Sequence, residues 1–180
     1  ANLTKSRLDS EHNVYVAGDT TGTIPGSPTV NQGGSDILLV KYDQNGVLLW
    51  VRQLGSPADD VATGIAIDAN DDVFITGGTE GQLPGAPANA GGWDYFIARY
   101  DGSGSLVMVT QDGTSATDFA HAVTVGPAGN VYVAGETGGA LSGPSNGLQD
   151  TFIGKYTPNG GLIWISQRGT PDTDALYGIE

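Results

Sequence analysis

Aspartates and cations recur along this sequence at spacings that would let them act together. Asp36, Asp94 and Asp150 form one series, Asp60, Asp118 and Asp174 a second, and Lys41, Arg99 and Lys155 a third. Gathered on one surface, they would make a ring of ligands or an acid–base pair. General acid–base chemistry needs two carboxyls in unlike surroundings, one held protonated and the other ionised. Residues that repeat with the period of the chain acquire like surroundings. The expected work of these charges is therefore structural: capping a turn, or pairing with the neighbouring unit.

One segment has the spacing of a metal loop. Asp68-Ala69-Asn70-Asp71-Asp72 places side-chain oxygens at its first, third and fifth positions, so Asp68, Asn70 and Asp72 are candidate calcium ligands. The corresponding Asp9-Ser10-Glu11-His12-Asn13 shares the pattern, whereas Gly126-Pro127-Ala128-Gly129-Asn130 keeps only its last member. The glycine and the terminal bidentate carboxylate of an EF-hand are missing. A turn closed by Asp and Asn side chains accounts for all three copies. The two histidines, His12 and His121, do not recur and there is no cysteine, so a catalytic zinc site is not expected. No Gly-x-Ser-x-Gly elbow and no phosphate loop ending in Lys-Ser/Thr occurs.

These residues sit in three copies of one unit, offset by about 58 residues. One strand-like run reads Val14-Tyr15-Val16-Ala17-Gly18, Val73-Phe74-Ile75-Thr76-Gly77 and Val131-Tyr132-Val133-Ala134-Gly135. Another reads Ile37 to Tyr42, Tyr95 to Tyr100 and Thr151 to Tyr156, and a further one Leu49 to Gln53, Val107 to Gln111 and Ile163 to Gln167. In the central copy the expected strands are Gly64 to Asp68, Asp72 to Gly77, Asp94 to Tyr100 and Ser105 to Gln111. Four antiparallel strands, short hairpin turns and one longer loop, copied in tandem, describe a β-propeller blade. Leucine-rich and β-helical repeats are shorter, and an immunoglobulin-like sandwich does not repeat itself. The fold class is all-β: three four-stranded blades in one domain over 1–180, with copies at about 1–59, 60–117 and 118–173 and a further first strand beginning at 174–180.

The bulk composition agrees. The 29 glycines and 9 prolines punctuate runs of valine, isoleucine, leucine and aromatics, as in an all-β domain. A formal charge of −13 argues against nucleic acid and against anionic membrane surfaces. No apolar run is long enough to insert into a membrane. The absence of cysteine leaves an extracellular home open, since sheets of this size can supply the core. Starting at Ala1 with no visible signal peptide, the sequence reads as processed or excised.

The pattern Asp-Ala-x-x-Asn/Asp-Val-Tyr/Phe-Val/Ile-x-Gly, then x-Asp-x-Phe-Ile/Val-x-Lys-Tyr, then Gly-x-Leu-x-Trp and Gln-x-Gly, resembles the bacterial β-propeller repeat known as SBBP. It is strongest at Asp68 to Gly77, Asp94 to Asp101 and Gly161 to Gly169, and covers nearly the whole chain. Met108, where the other copies have Trp50 and Trp164, is an apolar departure. The resemblance implies secreted or surface proteins of bacteria or archaea, mostly without assigned function.

The expected function is a non-catalytic interaction or structural module, extracellular or on the cell surface, with a glycan or protein ligand. The alternatives are a glycan-acting hydrolase or lyase, or a calcium-dependent carbohydrate-binding propeller. Trp93, an aromatic within the Gly/Pro-rich loop Gly78 to Trp93, offers a stacking surface to a sugar or peptide, unless it only covers a blade edge. Trp50, Met108 and Trp164, with Tyr15, Phe74 and Tyr132, should be buried between blades. Thr4 to Asp9 reads as a degraded first strand, and Asp174 to Ile179 as an intact spare one. Three blades leave sheet edges open. Either the chain is a piece of a longer propeller, or copies assemble; the expected partner is a second copy, a homodimer closing a six-bladed ring in which the spare strand supplies the one the first blade lacks.

Overall fold

The computed structural model describes residues 1–180, which form twelve β-strands and no helix. β1 (Asn2–Leu8), β2 (Val14–Thr20), β3 (Asp36–Tyr42) and β4 (Leu48–Leu54) make the first sheet. β5 (Asp60–Ile67), β6 (Val73–Thr79), β7 (Asp94–Tyr100) and β8 (Leu106–Asp112) make the second. β9 (Asp118–Val125), β10 (Val131–Thr137), β11 (Asp150–Tyr156) and β12 (Leu162–Arg168) make the third. Every sheet is an antiparallel meander in sequence order, as a propeller blade is.

Turn chemistry fixes the hairpins. The first turn of each blade places a left-handed residue at the same position: His12 (φ 64°), Asp71 (φ 62°) and Gly129 (φ 77°). Asp and His tolerate that conformation better than most side chains do. The turn between the third and fourth strands places Gly46, Gly104 and Gly160 at φ of 80°, 82° and 80°. Each first strand carries a bulge, at Thr4, Thr63 and His121, where its register against the second strand slips. The bulge aims the side chain at the next blade. Thr4 Oγ1 donates to Ala62 O at 2.9 Å, and Thr63 Oγ1 to Ala120 O at 2.6 Å.

Most of the core lies between blades, with a smaller cluster of Leu38, Val40 and Val51 on the first blade alone. One cluster joins Tyr15, Ile37 and Leu39 of the first blade to Ile65, Val73, Ile75 and Phe96 of the second. Another joins Phe74, Tyr95 and Ile97 to Val131, Val133, Phe152 and Tyr156. Alternate residues of β6 therefore face opposite neighbours, and all seven are buried.

Three expectations need correction. The first blade has its own inner strand: β1 pairs with β2 from Asn2 to Leu8, although every residue of β1 is exposed. Backbone pairing requires no apolar sequence, so Lys5, Ser6 and Arg7 can complete the ladder. The segment after Asp174 forms no strand of its own, with only a bridge from Thr173 to Gln149. Trp164 is 43% exposed rather than buried, and Tyr132 is half-buried, while Tyr15 and Phe74 are fully buried. Trp50 and Met108 are also only half-buried, but each packs beneath a turn of the next blade, and within residues 1–180 no such turn covers Trp164.

Candidate functional site

The recurring aspartates form two networks, each repeated blade by blade. In the first, Asp94 Oδ2 accepts the Ala90 amide at 2.8 Å and Gln111 Nε2 at 3.1 Å. Gln111 Nε2 also donates to Gly81 O at 2.8 Å, and its Oε1 accepts the Leu83 amide at 3.2 Å. Asp36 and Gln53 do the same with Gln32, Gly22 and Ile24. Asp150 and Gln167 do so with Asn146, Gly139 and Leu141. A third-strand carboxylate and a fourth-strand carboxamide thus brace the long loop of each blade. The other oxygen, Oδ1 of Asp36, Asp94 and Asp150, is buried without a hydrogen-bond partner. It faces Gly55, Gly113 or Gly169, where a Cβ would overlap it. Burial pushes the Asp36 and Asp94 carboxyls up, against the opposing pull of their backbone and glutamine donors.

In the second network the first-strand aspartate ties one blade to the next. Asp60 accepts the Ser56 amide at 2.6 Å, the Ser56 hydroxyl at 3.1 Å and the Thr79 hydroxyl. Asp118 accepts the Thr114 amide and hydroxyl at 2.6 and 2.8 Å, and the Thr137 hydroxyl. Asp174 accepts the Thr170 amide and hydroxyl at 2.6 and 2.9 Å. The aspartate amides complete the tie, donating to Ser35 O, Trp93 O and Gln149 O. Burial raises Asp60 as well, its hydrogen bonds from Thr79 and Ser56 pulling the other way.

The cations are clips. Lys41 Nζ lies 3.1 Å from Asp9 Oδ2 and 4.7 Å above the Tyr15 ring, and donates to Gly102 O of the second blade at 3.4 Å. Arg99 pairs with Asp72 Oδ2, through Nε at 3.1 Å, lies over Phe74 and reaches Pro158 O of the third blade at 3.3 Å. Lys155 lies 5.4 Å over the Tyr132 ring.

The Asp68–Asp72 segment folds as a tight turn with the carboxylates of Asp68, Asp71 and Asp72 engaged. Asp68 Oδ1 accepts the amides of Asn70 and Asp72 at 2.8 and 3.0 Å, while Asp72 turns to Arg99. Asp71 reaches across to the amide and hydroxyl of Ser10. Nowhere do three His, Asp or Glu side chains converge as metal ligands. Trp93 is half-buried, its ring 5.4 Å from Phe119 of the next blade, so it closes the seam between blades. Sequence reasoning missed the continuation of that contact. Phe119 lies 5.3 Å from His121, and His121 4.8 Å from Tyr177, a line of four rings along β9. The signal was the alternation of Phe119 and His121, which places both on one face of a strand.

Beside a cleft of about 170 Å³ along the inner strands, lined by Lys5, Arg7, Ile65, His121, Tyr177 and the single carboxylate side chain of Glu180, two larger clefts separate the blades. One, of about 470 Å³, lies between the first and second and is lined by Pro28, Gln32, Arg52, Pro84, Tyr100 and Leu106, with no carboxylate. The other, of about 530 Å³, lies between the second and third, and its single carboxylate is that of Asp68.

Comparison with known proteins places this geometry. Residues 49–84 match the SBBP β-propeller repeat. That span runs from β4 through β5 and β6 into the bracing loop, and the other blades repeat its networks. Over 199 aligned residues the chain is 28% identical to the regulatory protein FlaEY of Caulobacter vibrioides, covering 99% of this chain and 21% of that protein. It is 24% identical over 213 residues to an uncharacterized WD repeat-containing protein of Acanthamoeba polyphaga mimivirus, covering 92% of this chain and 15% of that one. The chain thus spans a small part of the curated relatives it matches.

Proposed function

We propose that this chain is a non-catalytic interaction module: three blades of a β-propeller that hold loops for a protein or glycan ligand. The observation that carries this reading is the fate of the aspartates. Each is engaged in a bracing or tying network that recurs in like form in the neighbouring blade, and none of the three clefts brings two carboxylate side chains together. The unlike pair that glycan hydrolysis requires is missing from these positions. Similarity to a protein named as regulatory and to a WD repeat-containing protein supports the same reading. The SBBP resemblance supports a secreted or surface-attached setting. In this reading two copies of three blades close a six-bladed ring. A glycan array with the labelled chain, with and without calcium, tests the ligand class, and each bound glycan is then assayed for cleavage. Binding without turnover is the expected outcome. Turnover of a bound glycan would assign the chain to the enzymes.

A further inference from the structure

Repeated positions do repeated structural work, so a site of binding is best sought where the two internal junctions differ. Three positions differ together. Tyr95, Thr110 and Asp112 of the second blade correspond to Ile37, Arg52 and Leu54 of the first. At the second junction the Tyr95 hydroxyl meets that of Tyr156 at 2.6 Å and Asp112 Oδ2 at 3.3 Å. At the first junction the counterpart of Tyr156 is Tyr100, and neither Ile37 nor Leu54 has a side-chain oxygen to offer it. In place of the phenol pair lies the cleft of about 470 Å³, walled by Pro28, Leu54, Pro84 and Leu106.

Two polar groups meet this cleft with hydrogen-bonding capacity to spare. Tyr100 lines it while only 3% exposed, and its hydroxyl makes no hydrogen bond within the chain. That oxygen is not among the polar atoms sealed from solvent, so it opens on the cleft. Burial raises the phenol, against the opposing pull of Arg52, and the hydroxyl therefore keeps its proton as a donor. Arg52 lies 5.1 Å over the Trp50 ring, held by bonds from Nε, Nη1 and Nη2 to Gly104 O, Val51 O and Ser103 O. Each bond uses one N–H of the five that a guanidinium carries, so one remains on each Nη. Lys41 and Arg99 are paired with Asp9 and Asp72, whereas Arg52 has no carboxylate partner and none lines the cleft. In a chain of formal charge −13, a fixed cation without a counter-ion beside an unspent hydroxyl marks the place of an anion.

We propose that this cleft binds the carboxylate of a peptide, with Arg52 and Tyr100 holding its oxygens and a neighbouring aliphatic side chain lying against Pro28, Leu54 and Pro84. This rests on the reading of an interaction module and names the ligand of one of its clefts. A volume of about 470 Å³ is that of a small-ligand site, enough for a chain end or for one acidic side chain with its neighbour. The walls choose between a peptide and an acidic glycan. Proline and leucine give aliphatic surface, and the one aromatic ring at the cleft, that of Tyr100, is buried, so no ring face is offered to a sugar.

Fluorescence anisotropy compares a labelled short leucine peptide ending in a free carboxylate, its C-terminal amide, and the amide carrying one glutamate. Calorimetry does the same for an oligogalacturonate. The free acid or the glutamate peptide should bind, and the plain amide should bind about tenfold more weakly or less. Which of the two acids binds tells a chain end from a side chain. Arg52→Met should lower the affinity about tenfold or more, and Tyr100→Phe about fivefold. Leu54→Asp installs the carboxylate that Asp112 supplies at the other junction and should abolish binding. Tyr100→Phe removes an oxygen without a partner in the chain, so its urea melt should match that of the wild type. Acid and amide bound alike, or an unchanged affinity in Arg52→Met, overturns the carboxylate site. A loss of stability in Tyr100→Phe gives the hydroxyl an internal partner and overturns its role. Binding of the oligogalacturonate alone overturns the peptide as occupant. No binding of any probe overturns the site and leaves the interaction module to the glycan array. Cleavage of a bound peptide overturns the module and leaves the site.

Discussion

The phenol oxygens of Tyr95 and Tyr156 lie 2.6 Å apart, hydrogen-bonded across the seam between the second and third blades. Tyr95 also reaches Asp112 Oδ2 at 3.3 Å, which orders the chain of donors: Tyr156 to Tyr95, then Tyr95 to Asp112. Burial raises both phenols far above their ordinary range, so the pair stays neutral. Tyr156→Phe should cost about 1 kcal/mol. Urea melts of the two single Phe variants and the double variant should give a coupling of about 1 kcal/mol. Strictly additive losses would show that the two hydroxyls do not interact.

Asp94 makes stability depend on pH in a defined direction. Its folded carboxyl titrates above the ordinary value of 3.8. Its favourable contribution is therefore whole below that value and is lost as pH rises toward the folded value. Asp94→Asn has no such loss. The melting temperature of the wild type minus that of the variant should fall as pH rises from below the ordinary value of 3.8 to above it. A constant difference would place the carboxyl at its ordinary value.

Gly113 is fixed by the carboxyl it faces. A Cβ there would overlap Asp94 Oδ1, and that carboxyl is held by Ala90 and Gln111. Gly113→Ala should cost about 1–3 kcal/mol. Gly22→Ala meets nothing within 4 Å and should be neutral or slightly stabilising. Equal losses in denaturant titrations would contradict the steric account.

Asp68 Oδ1 closes its own turn, Asp71 is taken by Ser10 and Asp72 by Arg99, so neither calcium nor a chelator should shift the thermal melt. Arg99→Ala leaves Asp72 without its partner and should cost about 3 kcal/mol. A calcium-dependent rise in the melting temperature that Asp68→Asn removes would restore Asp68, Asn70 and Asp72 as ligands.

The number of blades, their strand order and the structural employment of the aspartates were legible in the sequence. Each of these is local. Turn residues, alternating apolar runs and a fixed period act within one unit, and three copies make the pattern plain. The glutamine and glycine of Gln111-Asp112-Gly113 were visible as a motif, but their shared duty toward Asp94 was not, because the three meet only across the strands of a folded blade. Trp164 shows the limit most clearly. Its sequence neighbourhood matches that of Trp50, yet one indole lies beneath a turn and the other is 43% exposed. Burial of a blade residue depends on the blade beside it, and periodicity carries no information about which neighbour stands there. Likewise β1 looked degraded because its side chains are polar, while the structure forms it through backbone bonds that any sequence without proline can make. The sequence by itself determined the repeated unit. The packing of one unit on the next was decided only by the tertiary structure, because each blade's core is supplied half by its neighbour.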